Sequence, residues 1–296
     1  MSSSPYTSRS LYNLTGLVAV VTGGGTGIGL MIARGLAENG AKVYITGRRK
    51  DVLDKVVASG SINGTVVALQ MDVTNKESIL SATKILEEQE GKLHILVNNA
   101  GQVGPVSRFF NQMDAPEHKD AETLGKAMFN ESMPGWSDLY AINVFPIFFV
   151  TMAFLGLLDK GTKDCANTRP GYTANVINVT SISGLMKLAQ DHFAYNSAKA
   201  GASQLSKMLS TELALKSVPV RVNAIAPGPY ESEMTTDVIT PEEVDRIGKG
   251  VLPVPARRAG KGEEMAGTAV YLASPAGGYM NGQELVIDGG YLAVNP

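Results

Sequence analysis

Leu17-Val18-Ala19-Val20-Val21, a short run rich in β-branched residues, passes directly into Thr22-Gly23-Gly24-Gly25-Thr26-Gly27-Ile28-Gly29 and then into the helical pattern Leu30-Met31-Ile32-Ala33-Arg34-Gly35-Leu36-Ala37, which ends near Gly40. Strand, glycine turn and helix in that order describe the opening of an α/β sheet. Gly23, Gly27 and Gly29 would let backbone N–H groups approach a pyrophosphate at the helix N-terminus, where side chains would block it. Gly25, Thr26 and Ile28 complete the turn, and Thr26 offers a hydroxyl near the phosphates. The alternative is a plain strand-to-helix turn that uses glycine for positive φ.

Further strands are expected at Lys42–Thr46, Thr65–Met71, His94–Val97, Asn175–Val179, Val220–Ala226 and Leu285–Ile287, with helical segments between them. This alternation predicts a doubly wound, about seven-stranded parallel sheet with helices on both faces, and a ligand at the carboxyl ends of the strands. The chain has 296 residues, 44% hydrophobic and 18% charged, enough for one large domain over 14–296 after a flexible leader at 1–13. Lys plus Arg number 26 against 28 Asp plus Glu, so nothing in the balance marks a nucleic-acid or anionic-membrane partner.

The single cysteine, Cys165, permits no internal disulfide, and His94, His118 and His192 show no metal-ligand spacing. With no secretory apolar region near Met1 and no Ser-Lys-Leu ending, the cytoplasm is the expected compartment. Val144–Leu158, interrupted by Pro146 and Gly156, falls short of a membrane span of about 20 residues and reads as a buried helix or a subunit interface.

Tyr195 and Lys199 lie four apart, one turn of helix, and Ser181 precedes the tyrosine by fourteen residues. An ammonium beside a phenol favours the phenolate; moving a phenol from about 10 to neutrality takes about 4 kcal/mol. After the second strand, where an acid would bind the ribose 2′-hydroxyl of NAD, stand Gly47, Arg48, Arg49 and Lys50.

The glycine turn, Asp72, Asn98-Asn99-Ala100-Gly101, Asn143, Ser181, Tyr195, Lys199 and Pro227-Gly228, in this order, resemble the short-chain dehydrogenase/reductase family from about Leu14 to Leu292. The resemblance implies a Rossmann-like nicotinamide enzyme that transfers hydride between cofactor and a carbonyl or alcohol carbon. Tyr195 would be the proton donor or acceptor, Ser181 would hydrogen-bond the reacting oxygen, with Thr180 and Ser183 as rivals, and Lys199 would hold the nicotinamide ribose. Asn143 would kink its helix and hold a water of the proton relay. It further implies Asp72 and Val73 at the adenine, Asn99, Ala100 and Gly101 beside the adenosine ribose, and Pro227, Gly228 and Ser232 at the carboxamide. For Asp72 a helix cap, and for the Asn-rich segment a tight turn, are the competing readings. Arg48, with Arg49 beside it, resembles the NADP(H) pattern, favoured over NAD(H), since guanidinium matches phosphate bidentately. Thr26 departs from that pattern, because many NADP members carry Arg or Lys there.

The expected activity is NADP(H)-dependent interconversion of a ketone and a secondary alcohol, reducing a bulky apolar small molecule, by a homo-dimer or homo-tetramer. The alternatives are an NAD-linked alcohol dehydrogenase and a non-catalytic nicotinamide-sensing scaffold. Long loops are expected at 102–135, as a substrate wall rich in Phe and Met, and at 159–174, as surface decoration; 229–262 is expected to be a lid. Tyr230 is read as packing, His192 as a solvent-facing loop residue, and Cys165 as inert.

Overall fold

The computed structural model describes residues 4–230, 242, 244 and 249–296. Among them, seven strands form one parallel sheet in the order β3-β2-β1-β4-β5-β6-β7. These are β1 (Val18–Thr22), β2 (Lys42–Gly47), β3 (Thr65–Gln70), β4 (Ile95–Asn98), β5 (Ala174–Val179), β6 (Val220–Pro227) and β7 (Glu284–Ile287). The order reverses beside β1, between β1 and β4, and such a switch point opens a crevice outside the carboxyl ends of the strands.

The period-2 alternation sorts the strand side chains onto two faces. Ala19, Val21, Val43, Ile45, Val97 and Ile225 pack on one side with Ile32 and Leu36 of α1 (Gly27–Glu38). Val18, Val20, Tyr44, Leu96, Val176 and Val222 pack on the other. There they meet Ile79 and Leu86 from the helix over Lys76–Glu90, Phe154 from Phe145–Cys165, and Leu209 from Phe193–Leu215. Both faces are covered, which is why all of β1 is buried.

Two expected loops are partly helical. Within 102–135, Asp120 caps a helix over Ala121–Phe129 by accepting from the Thr123 N–H at 2.8 Å. Ser132 caps another over Met133–Asn143. The helix expected to stop at Leu158 continues to Cys165, because its polar last turns keep helical spacing and exposed Lys163 pairs with Asp159 four residues back. Only the following eight residues of 159–174 remain irregular before β5.

This extension removes the length argument against a membrane span. Met133–Cys165, nearly continuous through Val144, is long and apolar enough to cross a bilayer. Half of its apolar window is nevertheless buried inside the fold, under the sheet.

Cys165 is therefore a buried helix-end residue whose thiol burial pushes up, not a loop residue. It stands with His94 and Asp164 in a cluster whose ligand atoms lie within 4.8 Å of one another, a grouping invisible in sequence spacing. His94 Nδ1 accepts the Val18 N–H at 3.0 Å, so the neutral ring carries its proton on Nε2, which faces Asp164 at 3.4 Å. Lys92 Nζ also reaches Asp164, at 2.8 Å. The cluster thus presents an N–H and an ammonium where a cation would need lone pairs.

Candidate active site

The glycine turn sits between the carboxyl end of β1 and the start of α1 and leaves no room for side chains. A Cβ on Gly29 would stand 2.2 Å from the Gly23 carbonyl oxygen. Thr26, the N-cap of α1, makes no side-chain cap, so the first-turn N–H groups keep no partner from it. They open on a cleft of ≈ 440 Å³ at the carboxyl edge of the sheet. Its walls combine the turn with Thr46, Arg48, Arg49 and Asp72 on one side and Asn99, Gly101, Tyr195 and Lys199 on the other. Thr46 Oγ1 is buried there without a hydrogen-bond partner. Exposed Arg48 has no carboxylate partner for its guanidinium among the described residues, and its carbonyl accepts from Gln70 Nε2 at 3.0 Å.

The Asn-rich segment ties the two halves of the sheet together. Asn99 Nδ2 donates to the Thr22 carbonyl at 2.9 Å, while the Thr22 hydroxyl accepts the N–H groups of Asn99 and Ala100 at 2.9 and 3.0 Å. Asn98 Nδ2 donates to Asn178 on β5 at 2.9 Å. The buried Asn143 amide clamps the backbone of Gln102, accepting its N–H at 2.9 Å and donating to its carbonyl at 2.8 Å. The helix breaks one residue later, at Val144, ahead of Pro146, whose missing N–H cannot continue the ladder.

The helix carrying Tyr195 and Lys199, Phe193–Leu215, buries small residues, Ala194, Ala198, Ala202, Ser203 and Ser206, along one stripe. That lets the turn after β5 approach closely; a Cβ on Gly184 would lie 2.5 Å from the Lys199 carbonyl carbon. This sets Ser181 beside the Tyr195 phenol, with the Ser181 hydroxyl accepting the Ser183 N–H at 3.1 Å. Burial nonetheless pushes the Tyr195 phenol above its ordinary value, with the Ser181 hydrogen bond pulling the other way. This direction reverses the sequence expectation. Lys199 Nζ lies 5.7 Å from the Tyr195 ring centroid and donates to the Val179 carbonyl at 3.0 Å, so desolvation dominates the phenol. The same desolvation brings the Lys199 ammonium down to about 8.

Comparison with known proteins bears on this arrangement. The family profile described as enoyl-(acyl carrier protein) reductase matches residues 23–292. The short-chain dehydrogenase/reductase PhomF of Diaporthe leptostromiformis is 37% identical over 292 residues, 98% of this chain and 96% of that protein. The chain belongs to the short-chain dehydrogenase/reductase family. The NADP-dependent (R)-specific alcohol dehydrogenase of Lentilactobacillus kefiri is 33% identical over 282 residues, 95% of this chain and 98% of that one. Among solved structures, the Pseudomonas aeruginosa RhlG/NADP active-site complex superposes with a TM-score of 0.79 at 32% identity, covering 95% of this chain and 98% of that chain.

In this family member the cleft gathers Gly23, Gly25, Thr26, Gly27, Ile28, Gly29, Arg48, Arg49, Asp72, Val73, Asn99, Ala100, Gly101, Tyr195 and Lys199, which are scattered through the sequence. Asp72 also closes a local turn, its Oδ1 accepting from the N–H and hydroxyl of Thr74 at 2.9 and 2.7 Å, while the helix that follows is capped by Asn75 and not by Asp72. Pro227 and Gly228 lie at the end of β6 against β7 and are not part of the cleft wall; Ser232 and much of 229–262 fall outside the described residues. Tyr230 packs in the core against Gly260.

His192 departs from its solvent-facing expectation. It stands at the N-cap position of the Tyr195 helix without a side-chain cap, 19% exposed, its ring edge-on to Tyr195 at 6.4 Å and Nε2 3.3 Å from Lys249 Nζ. Sequence reasoning also missed Thr46, Val52, Leu53, Met71 and Ile142 in the cleft wall, since apolar or β-branched residues at strand ends and on helix faces carry no signal separating core from binding surface.

Proposed function

We propose that this oxidoreductase uses NADP(H) to interconvert a ketone and a secondary alcohol, working as a reductase on a bulky apolar substrate. The observation that carries the reading is Tyr195 and buried Lys199 in the wall of a cleft that an uncapped helix N-terminus faces, with Ser181 beside the tyrosine. The residues fit the cofactor. Gly23 to Gly29 would hold the pyrophosphate, Asp72 and Val73 the adenine, and Asn99, Ala100 and Gly101 the adenosine ribose. Lys199 would take the nicotinamide ribose. When bound, the nicotinamide supplies or accepts the hydride.

Ser181 donates a hydrogen bond to the substrate oxygen and stabilises its developing charge. Tyr195 gives that oxygen a proton; a phenol raised by burial stays protonated at neutral pH and is ready to act as the acid. Asn143 acts through the Gln102 backbone it clamps, holding the floor of the site and a relay water. Arg48 reads the 2′-phosphate, a reading supported by its lack of a carboxylate partner among the described residues. The NADP-dependent Lentilactobacillus relative and the NADP complex of the Pseudomonas protein point the same way.

The segment 102–135 forms the substrate wall. Phe110 stacks edge-on against Phe193, the first residue of the Tyr195 helix, with centroids 5.0 Å apart, while Met113 and Phe129 stand exposed on the same segment. The cytoplasm suits a chain whose lone cysteine is buried and unpaired. Phe145, Phe148 and Phe149, 38–50% exposed, suit a homo-oligomer. A screen of NADPH oxidation over ketones of graded size tests the whole reading: turnover that rises with apolar bulk supports it, and no turnover with any carbonyl overturns it.

A further inference from the structure

Glu284 opens β7, paired in the ladder with Ala224 of β6, far in sequence from every residue placed at the site. A strand this apolar, Leu285-Val286-Ile287, gives no reason for a carboxylate, yet the Glu284 side chain is 8% exposed. Both its oxygens are engaged. Oε1 is 2.7 Å from the Thr180 hydroxyl, which is also 3.0 Å from the Ile225 carbonyl oxygen. Oε2 accepts from the Ser203 hydroxyl and lies 3.5 Å from Lys207 Nζ.

The identity of these partners gives the contact its meaning. Thr180 immediately precedes Ser181, and Ser203 is one helical turn beyond Lys199. Neighbouring polar contacts join the same two elements: Lys199 Nζ to the Val179 carbonyl, and Asn178 Nδ2 to the Ser206 hydroxyl at 2.9 Å. Glu284 is the member of this seam that comes from a third element. It spans the strand end and the helix in one side chain and so sets the separation between Ser181 and the Tyr195–Lys199 face. We propose that Glu284 is a positioning residue for hydride-transfer chemistry, bridging Thr180 and Ser203 to hold Ser181 and Lys199 in register. This rests on the functional reading above.

Geometry makes the bridge sensitive to length. Aspartate is one methylene shorter and cannot reach both hydroxyls, whereas glutamine keeps the length and can bond both, because each hydroxyl can turn to donate or accept. Glu284→Val and Glu284→Asp are expected to lower kcat about tenfold, with the Kd for NADPH changing less than about threefold; Glu284→Gln is expected to retain at least half of kcat. Hydrogen exchange supplies a readout independent of turnover. Peptides covering 178–186 and 196–206 should exchange faster in the Val and Asp variants, while peptides covering β1 and β2 stay unchanged. Wild-type kcat in the Val variant, full activity in Asp with loss in Gln, or exchange that rises uniformly across the sheet would each overturn the proposal. If Glu284→Val fails to fold, the Asp and Gln pair still decides it. Absence of carbonyl turnover in the wild type would sink the functional reading, and the exchange pattern would then still decide whether the bridge holds the two elements.

Discussion

On the proposed reading cofactor choice turns on Gly47 and Arg48, and their surroundings set the size of the effect. Arg48 is exposed and lines the cleft, and its carbonyl is fixed by Gln70. A hydrogen bond to a charged group contributes about 1.5–3 kcal/mol. Solvent screening at an exposed guanidinium trims that to about 1–2 kcal/mol. Arg48→Ala should therefore weaken NADPH binding roughly 5- to 30-fold while leaving NADH nearly unchanged. Arg48→Lys should fall between, because a point charge replaces the planar fork.

The converse change is sterically open. A Cβ on Gly47 would meet only Leu53 Cδ2, at 3.7 Å, an ordinary contact, and Gly47 is not among the positive-φ glycines. Gly47→Asp combined with Arg48→Ala should invert the preference, since the new carboxylate repels a 2′-phosphate and can accept from a 2′-hydroxyl. Fluorescence titration with both nucleotides at two ionic strengths measures this, and the Arg48 contribution should shrink at the higher salt. Equal losses for NADPH and NADH in Arg48→Ala would show that this side chain does not read the 2′-phosphate.

Three further outcomes are expected. Tyr195→Phe should cut kcat by roughly 10²–10⁴, the range for a general acid, and spare NADPH affinity, whereas Lys199→Ala should damage both; a Phe variant with most of its kcat would move the proton donor elsewhere. Trimming 102–135 while keeping Asn143 on Gln102 should raise KM for large ketones and leave a small ketone unaffected; identical kinetics for every size would reduce the segment to packing. His94 is held down to about 4 by burial, so the unfolded chain takes up this proton first as pH falls. Stability is thus complete above about 6.5 and declines by about 3 kcal/mol as pH drops to about 4, which urea unfolding across that window measures; a His94→Gln variant with the same slope would refute the assignment.

What could be read in the sequence was what depends on local pattern. Leu17 to Gly40 announces strand, turn and helix because β-branching, glycine and 3.6 periodicity change within a few residues, and the same contrast marks each later strand to within a residue or so of its observed bounds. Polar sequence misled where tertiary packing decides. Asp159 to Cys165 looked like a loop, but one buried stripe through Gly161 and Cys165 suffices to keep it helical. The insertion looked structureless because its caps, Asp120 and Ser132, are the residues that also make turns.

The same limit governs the candidate site. A tyrosine and lysine four apart state a shared helix face, but the sign of the phenol shift depends on how much water the surrounding fold removes, which the spacing does not state. Proximity of a cation therefore gave the wrong direction, and burial is the larger effect. His192 and Glu284 follow the same logic. Each is ordinary in its own segment and gains its role only when a distant element, Lys249 in one case and Thr180 with Ser203 in the other, closes on it. A buried carboxylate without a local reason, such as Glu284, is where a sequence signal for these long-range contacts does exist, because an unpaired charge in an apolar strand is too costly to persist unless something across the fold satisfies it.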